Sequence, residues 1–327
     1  MMESFSRTLD NYTGSYVARR RRKRIIVVTA VLAAAAALAF GIAGLSRKGL
    51  LSAGGEGKPV PKKTVLASWG SKDWDEVLAA CAASLGAAPL DPFYLGMGGL
   101  AAYYKGIELP EGEERSALMD EAVVSIRKAL VAHGRSARGT PRAELEYVLG
   151  KAYYYKGRDF MDGAVKWLEA SIDDGYLGAD SREYLAVAYA SLGNIEASLK
   201  NFEAALQRGR ADLLLVAAAR AYAEAGKDDR AESLLLEALS SSQDALAREK
   251  CRFGLADIYA GRGEEGKVEE QLGLALKENA ESAEAHYRLG VVYQKRGDPV
   301  RARAEWRRAI AIDPMHAASR QKLAEKL

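Results

Sequence analysis

Chemically reactive side chains are scarce in this chain of 327 residues, which has only two cysteines and three histidines. The histidines are His133, His286 and His316, and none has the spacing to another that builds a metal site. The sequence also lacks a glycine-rich phosphate loop, the nucleophile turn of hydrolases and the two-histidine helix of zinc proteases. We therefore expect a protein that is not an enzyme and has no catalytic residues, no cofactor and no metal.

A strong excess of charge of one sign is also missing from most of the chain. The 47 Lys and Arg side chains nearly balance 44 Asp and Glu side chains, for a net charge of +3. Residues 1–24 contain seven basic and two acidic side chains, which leaves the rest slightly negative. Because a nucleic-acid-binding domain carries a strongly basic face, we expect no nucleic-acid partner.

One long stretch near the N-terminus has no charge at all. In a helix that rises about 1.5 Å per residue, Ile25–Leu45 would span about 30 Å, the thickness of a bilayer's hydrocarbon core. The basic run Arg19–Arg24 precedes it, whereas only Arg47 and Lys48 follow it closely. Because basic residues favour the cytoplasmic side, we expect a single-pass transmembrane helix with the N-terminus in the cytoplasm and the rest in the periplasm. No glycosylation acceptor follows the stretch, which favours the inner membrane of a bacterial envelope.

Two alternatives concern this apolar stretch. The apolar region of a cleaved signal peptide is about 7–15 residues long, shorter than this one, but 41–43 (Gly-Ile-Ala) has the small residues of a cleavage site. Small residues at Ala33, Ala37 and Gly41 lie four apart, and such a face allows two membrane helices to pair. Cleavage of the segment and a homo-oligomer therefore stay open.

Composition divides the chain into segments. Residues 1–24 form a short basic head, and 46–63, rich in Gly, Ser, Pro and Lys, are typical of a flexible linker between the apolar stretch and a folded domain. We expect that domain to occupy 64–327.

The folded domain repeats with a period of about 34 residues. Apolar residues spaced by three and four lie on one helix face, and glycine or proline ends each helix, so every period predicts two helices. The positions Leu289, Tyr293, Gly297, Ala302, Trp306 and Ala309 fall 34 residues after Leu255, Tyr259, Gly263, Val268, Leu272 and Ala275. Earlier in the chain the pattern is looser: Pro92–His133 predicts a degenerate pair of helices, and Trp74–Leu85 predicts one further second helix.

This pattern resembles the tetratricopeptide repeat (TPR) family. The residues that carry the resemblance are His286, Leu289, Gly290, Tyr293, Ala302, Trp306, Ala309 and Pro314, with His286 where the family usually has Trp. The resemblance implies an all-α, right-handed α-solenoid of helix–turn–helix repeats, preceded here by the transmembrane helix. We expect degenerate repeats over 64–142, clear repeats over 143–316 and a capping helix at 317–327.

In TPR proteins the first helices of the repeats line a concave groove that binds peptides of partner proteins. The matching positions of this chain are Tyr103, Tyr104, Tyr147, Lys151, Tyr154, Tyr155, Glu183, Arg220, Glu224, Asp257, Tyr287 and Lys295. Tyrosine combines a large apolar face with a polar tip, as recognition surfaces require. The alternative is that several of these rings only pack the degenerate repeats. The Lys and Asn set with which chaperone-binding TPR domains hold a C-terminal carboxylate is missing.

The apolar stretch and the resemblance together predict a membrane-anchored, non-enzymatic scaffold, in which the repeats bind protein or peptide partners. A chaperone-like helper for exported or envelope proteins, similar to the TPR proteins of the Sec translocon or of cytochrome c maturation, is the alternative. Cys81 and Cys251 would lie about five repeats apart in such a stack, too far for a disulfide, so we expect two buried thiols.

Overall fold

The computed structural model describes residues 58–134 and 140–325, which contain fifteen α-helices, one 3-10 helix and no strand. The α-helices are α1 (Lys62–Gly70), α2 (Trp74–Ala87), α3 (Pro92–Glu108), α4 (Glu113–His133), α5 (Thr140–Tyr155), α6 (Met161–Asp173), α7 (Ser181–Ser191), α8 (Ile195–Arg208), α9 (Asp212–Glu224), α10 (Asp228–Ser241), α11 (Ala245–Gly261), α12 (Glu265–Glu278), α13 (Ala283–Lys295), α14 (Pro299–Ile312) and α15 (Ala317–Ala324). The 3-10 helix, Arg158–Phe160, precedes α6.

Consecutive helices pair as hairpins in two compact units. The first unit, described over 58–210, contains the hairpins α1/α2, α3/α4, α5/α6 and α7/α8. The second, described over 211–325, contains α9/α10, α11/α12 and α13/α14, followed by α15. The predicted all-α fold of two-helix repeats is confirmed.

The turn between the two helices has the same backbone geometry in five of the hairpins. In the hairpin α1/α2 the residue before the N-cap is Lys72, the one non-glycine residue of the described part with a positive φ, at 59°. The amide of Asp73 donates to the carbonyl of Ser68 over 3.0 Å, as that of Asp298 donates to Tyr293 over 2.9 Å. In four other hairpins this position is a glycine with φ between 69° and 76°, namely Gly193, Gly226, Gly263 and Gly297.

Helix α1 extends the repeats further towards the N-terminus than the sequence pattern indicates. The pattern predicts only the second helix of this pair, and the structure adds a first helix that starts at Lys62. This start lies inside the predicted linker at 46–63, of which 46–57 lie outside the described residues.

Replacing Lys72 with glycine should stabilise the first unit. A side chain in the left-handed region costs about 1 kcal/mol, which glycine avoids. We expect Lys72→Gly to raise the urea midpoint of unfolding and the matched Gly297→Ala to lower it. An unchanged or lower midpoint for Lys72→Gly would contradict the assignment of α1/α2 as a repeat hairpin with this turn.

The two helices of a hairpin cross at small residues. A Cβ atom on Gly290 of α13 would lie 2.4 Å from Nε1 of Trp306 and 3.0 Å from the carbonyl oxygen of Ala302. The side chain of Trp306 is fully buried, and its indole N–H donates to the carbonyl of Tyr287 over 3.2 Å. Ala309, one turn further along α14, is also fully buried. The two helices therefore approach closely at Gly290.

Both cysteines are buried free thiols, as predicted. Cys81 lies on α2 and Cys251 on α11, with 1% and 0% of their surfaces exposed. Burial raises the pKa of each thiol to about 11, which keeps both protonated and unreactive at neutral pH.

The predicted membrane location requires a correction. Within 58–134 and 140–325, no helix is long and apolar enough to span a bilayer. The longest of these helices, α4, has 21 residues and carries charged side chains along its length, whereas a span requires about 20 mainly apolar residues. The predicted span Ile25–Leu45 lies outside the described residues. The described structure therefore contains no single-pass anchor, and the prediction of an inner-membrane protein with periplasmic repeats is not upheld.

Candidate functional site

All twelve predicted groove residues lie on first helices of hairpins, but they fall into two separate sets. Seven belong to the unit 58–210 and five to the unit 211–325. The first set is Tyr103 and Tyr104 on α3, Tyr147, Lys151, Tyr154 and Tyr155 on α5, and Glu183 on α7. The second set is Arg220 and Glu224 on α9, Asp257 on α11, and Tyr287 and Lys295 on α13.

The second set forms separate local contacts. Arg220 and Glu224 pair with each other one helical turn apart, over 2.9 Å. Asp257 accepts an ion-paired hydrogen bond of 2.8 Å from Arg288 on the next hairpin. The other two are Tyr287, whose ring centroid lies 5.3 Å from that of His316, and the exposed Lys295. These five residues do not form a single cluster.

Four residues of the first set, Tyr103, Tyr104, Tyr154 and Tyr155, belong to a continuous run of aromatic rings, which we call the aromatic face. It runs from the α1/α2 hairpin through α3 and α5 to α7, and neighbouring ring centroids are 4.8 to 6.2 Å apart. Centroids at these distances are typical of favourable aromatic pairs. All rings except that of Tyr103 are half-buried, so the run keeps part of its surface open to solvent. In order of contact the rings are Trp69, Trp74, Tyr104, Tyr103, Tyr155, Tyr184 and Tyr154.

A charged hydrogen-bond network fixes α5 against the start of α7 beside these rings. The ammonium of Lys151 donates to Asp180 over 2.8 Å and to the hydroxyl of Tyr147 over 3.0 Å. The hydroxyl of Tyr147 in turn donates to Asp180. The same ammonium lies 4.6 Å from the ring centroid of Tyr184, a cation–π distance. Gly178 leaves room for this arrangement, because a Cβ there would lie 2.6 Å from the Tyr147 ring.

Some polar atoms of the aromatic face have hydrogen-bond partners and others have none. The hydroxyls of Tyr155 and Tyr184 bond each other over 2.8 Å, and the guanidinium of Arg115 lies 4.7 Å from the Tyr155 ring centroid. The buried hydroxyl of Tyr103 and the buried Nε of Arg115 have no hydrogen-bond partner in the described structure. A buried polar group without a partner is costly, so these two atoms are unsatisfied sites beside the rings.

The ionisable groups here are held in their neutral or paired forms. Burial raises the pKa values of the Tyr103, Tyr147 and Tyr184 phenols, which therefore stay protonated at neutral pH. The pKa of the half-buried Glu183 carboxyl is raised by burial first and by nearby Asp180 second. Lys151 is paired with Asp180, which neutralises the ammonium beside the rings.

Five members of the site were missed by the sequence pattern. Trp69 and Trp74 lie on a hairpin whose first helix the pattern did not indicate, and Arg115 lies in the first turn of α4, the second helix of its hairpin. Asp180 lies in the loop before α7, and Tyr184 follows Glu183 directly. The repeat pattern identifies only groove positions on first helices. It does not identify residues that contact the face from a turn or from a neighbouring hairpin. The one available signal was the four-residue spacing of Asp180 and Tyr184, which places them one helical turn apart.

Comparison with known proteins supports the repeat assignment. Residues 283–316, the hairpin α13/α14 and its flanks, match the family model described as tetratricopeptide repeat. No curated protein sequence matches the chain.

Solved TPR structures are similar in fold. The C-terminal part of a TPR repeat-containing protein from Cytophaga hutchinsonii is 15% identical to this chain. The match covers 81% of this chain and 100% of that one, with a TM-score of 0.58. A TPR protein from Parabacteroides merdae is 15% identical to this chain; the match covers 79% of this chain and 96% of that one, with a TM-score of 0.51. YrrB, a TPR protein with an unusual peptide-binding site, is 17% identical; the match covers 62% of this chain and 100% of that one, with a TM-score of 0.45. At such identities the similarity supports a TPR fold and no further property.

Proposed function

We propose that this protein is a non-enzymatic interaction scaffold that binds peptide segments of partner proteins on the aromatic face. The observation that carries the proposal is the run of half-buried rings from α1/α2 to α7. Aromatic side chains supply large contact areas and lose little conformational freedom on binding, which is why recognition surfaces are rich in them. Repeat proteins present such surfaces on stacked helices that fix the positions of the rings.

The chemistry of the face favours binding over catalysis. Burial raises the pKa values of the Tyr103, Tyr104, Tyr154 and Tyr184 phenols, so these groups do not supply a base or a nucleophile at neutral pH. Its one ammonium, on Lys151, is held by Asp180 and Tyr147. The absence of enzymatic activity, of cofactors and of a nucleic-acid partner stays a prediction.

Photo-crosslinking from the aromatic face tests the proposal. We expect benzoylphenylalanine at position 154, which keeps a ring there, to form one dominant adduct with a partner protein in the native host. The matched control is the same amino acid at Val131 on α4, whose surface is 81% exposed but which lies outside the face. Equal adduct formation at both positions would contradict the proposal. Many weak adducts from position 154 alone would favour the chaperone-like helper.

A further inference from the structure

Helix α3 already holds an extended, proline-containing segment of the chain itself. Residues 58–61, Lys-Pro-Val-Pro, precede α1, and Pro61 has the polyproline II dihedrals φ −55° and ψ 132°. The hydroxyl of Tyr94 on α3 donates to the carbonyl of Val60 over 2.5 Å. The amide of Val60 donates to Ser84 over 3.0 Å. A tyrosine hydroxyl of this unit therefore donates to the backbone carbonyl of a residue that lies between two prolines.

The aromatic face offers the same elements further along α3. Tyr104 lies ten residues after Tyr94 on the same helix, and its ring stacks on Trp74 with centroids 5.5 Å apart. Trp69 packs edge-on against both rings, at 5.0 and 5.6 Å. Flat, partly exposed rings set side by side are the surfaces on which proline rings of an extended chain pack.

The phenol hydroxyls of the face are complementary to a backbone poor in N–H donors. Tyr104 and Tyr154 are half-buried, and their hydroxyls can donate a hydrogen bond as that of Tyr94 donates to Val60. A proline-containing segment presents carbonyl acceptors while its proline nitrogens carry no hydrogen. Such a segment is also extended before it binds, so it loses less entropy than a flexible chain.

The charge of the face argues against an acidic or nucleic-acid ligand. The ammonium of Lys151 is neutralised by Asp180, and the carboxyl of Glu183 is near enough to interact electrostatically with both. Single-stranded nucleic acid binds aromatic rings only together with a positively charged groove, which this face does not supply.

We propose that the aromatic face binds extended, proline-containing segments of partner proteins. This inference rests on the proposed function and narrows the partner to one class of segment. The half-buried rings supply the packing surface, and the hydroxyls of Tyr104 and Tyr154 donate to carbonyl groups of the segment.

Two matched peptides test the inference on the full-length chain by calorimetry. The probe is an acetylated, amidated twelve-residue peptide of five Pro-Val pairs between two lysines, and its partner has Ala in place of each Pro. We expect the proline peptide to bind at least about ten-fold more tightly than the alanine peptide. Trp74→Ala and Tyr154→Ala should each lower the affinity for the proline peptide about ten-fold. Trp74→Phe keeps a ring and should stay within about three-fold of the unmodified chain.

Tyr189→Ala is the matched control, because Tyr189 lies on α7 outside the face and bonds Glu169. It should leave the affinity for the proline peptide unchanged, with helix content by circular dichroism showing that every variant is folded. If the two peptides bind the unmodified chain with equal affinity and neither binds Trp74→Ala, the proline preference is wrong but the proposed function still holds. If neither peptide binds and a random twelve-residue library yields no binder that depends on Trp74, both fail.

Discussion

Replacing Trp306 with alanine should destabilise the hairpin α13/α14 by about 3–5 kcal/mol, the range found when a large buried aromatic side chain is removed. The side chain is fully buried and its indole N–H bonds the carbonyl of Tyr287, so the change leaves a cavity and an unpaired acceptor. Because each repeat is stabilised mainly by its neighbours, the loss should concentrate at this end. Hydrogen exchange should quicken most in α13, α14 and α15.

A double-mutant cycle with Gly290 sharpens this prediction. Gly290→Ala alone places a Cβ 2.4 Å from the indole nitrogen of Trp306 and should destabilise the hairpin. In the Trp306→Ala background most of that clash disappears, so the two effects should be strongly non-additive. Additive effects would contradict the helix crossing at Gly290, and a loss below about 1 kcal/mol for Trp306→Ala would contradict the burial of the indole.

Removing two rings of the aromatic face together should weaken partner binding about a hundred-fold. Trp74 lies near one end of the run, on α2, and Tyr154 lies at the other, on α5, and each truncation of an aromatic contact costs about 1–2 kcal/mol. Because the two residues share no contact, their losses should nearly add. The measurement is the dissociation constant of the protein captured by crosslinking, for the full chain and for Trp74→Ala/Tyr154→Ala.

A matched double variant separates binding from folding. Tyr189→Ala/Tyr293→Ala removes two half-buried tyrosines outside the face, which bond Glu169 and Glu269. It should bind the partner as the unmodified chain does. Similar weakening in both double variants would indicate a loss of structure and would contradict a binding role for the aromatic face.

The strongly patterned part of the fold was predictable from the sequence. In α13/α14 the apolar spacing, the glycine of the turn and the proline after Asp313 all indicate the same hairpin, and the structure has its helices there. Helix α1 escaped because its turn uses Lys72 where other hairpins have glycine. Without that glycine, the local sequence signals the start of α2, through its N-cap Asp73, but not the end of a preceding helix.

The candidate site was predictable only in part, for a similar reason. The repeat register indicated Tyr104, Tyr154 and Tyr155 because they lie on first helices. It gave no information on Asp180 or Tyr184, whose contacts depend on how α7 packs against α5. The register also included residues such as Asp257, which the structure places in an ion pair with Arg288.

Oxidative footprinting of the chain with and without its captured partner tests whether the partner binds on the aromatic face. Hydroxyl radicals label exposed rings, and mass spectrometry reports the labelling of each ring. The account predicts that the partner protects Trp69, Trp74, Tyr104, Tyr154 and Tyr184, while labelling of Tyr189 and Tyr293 stays unchanged. Protection confined to residues outside the aromatic face, with its rings labelled equally in both samples, would contradict the account.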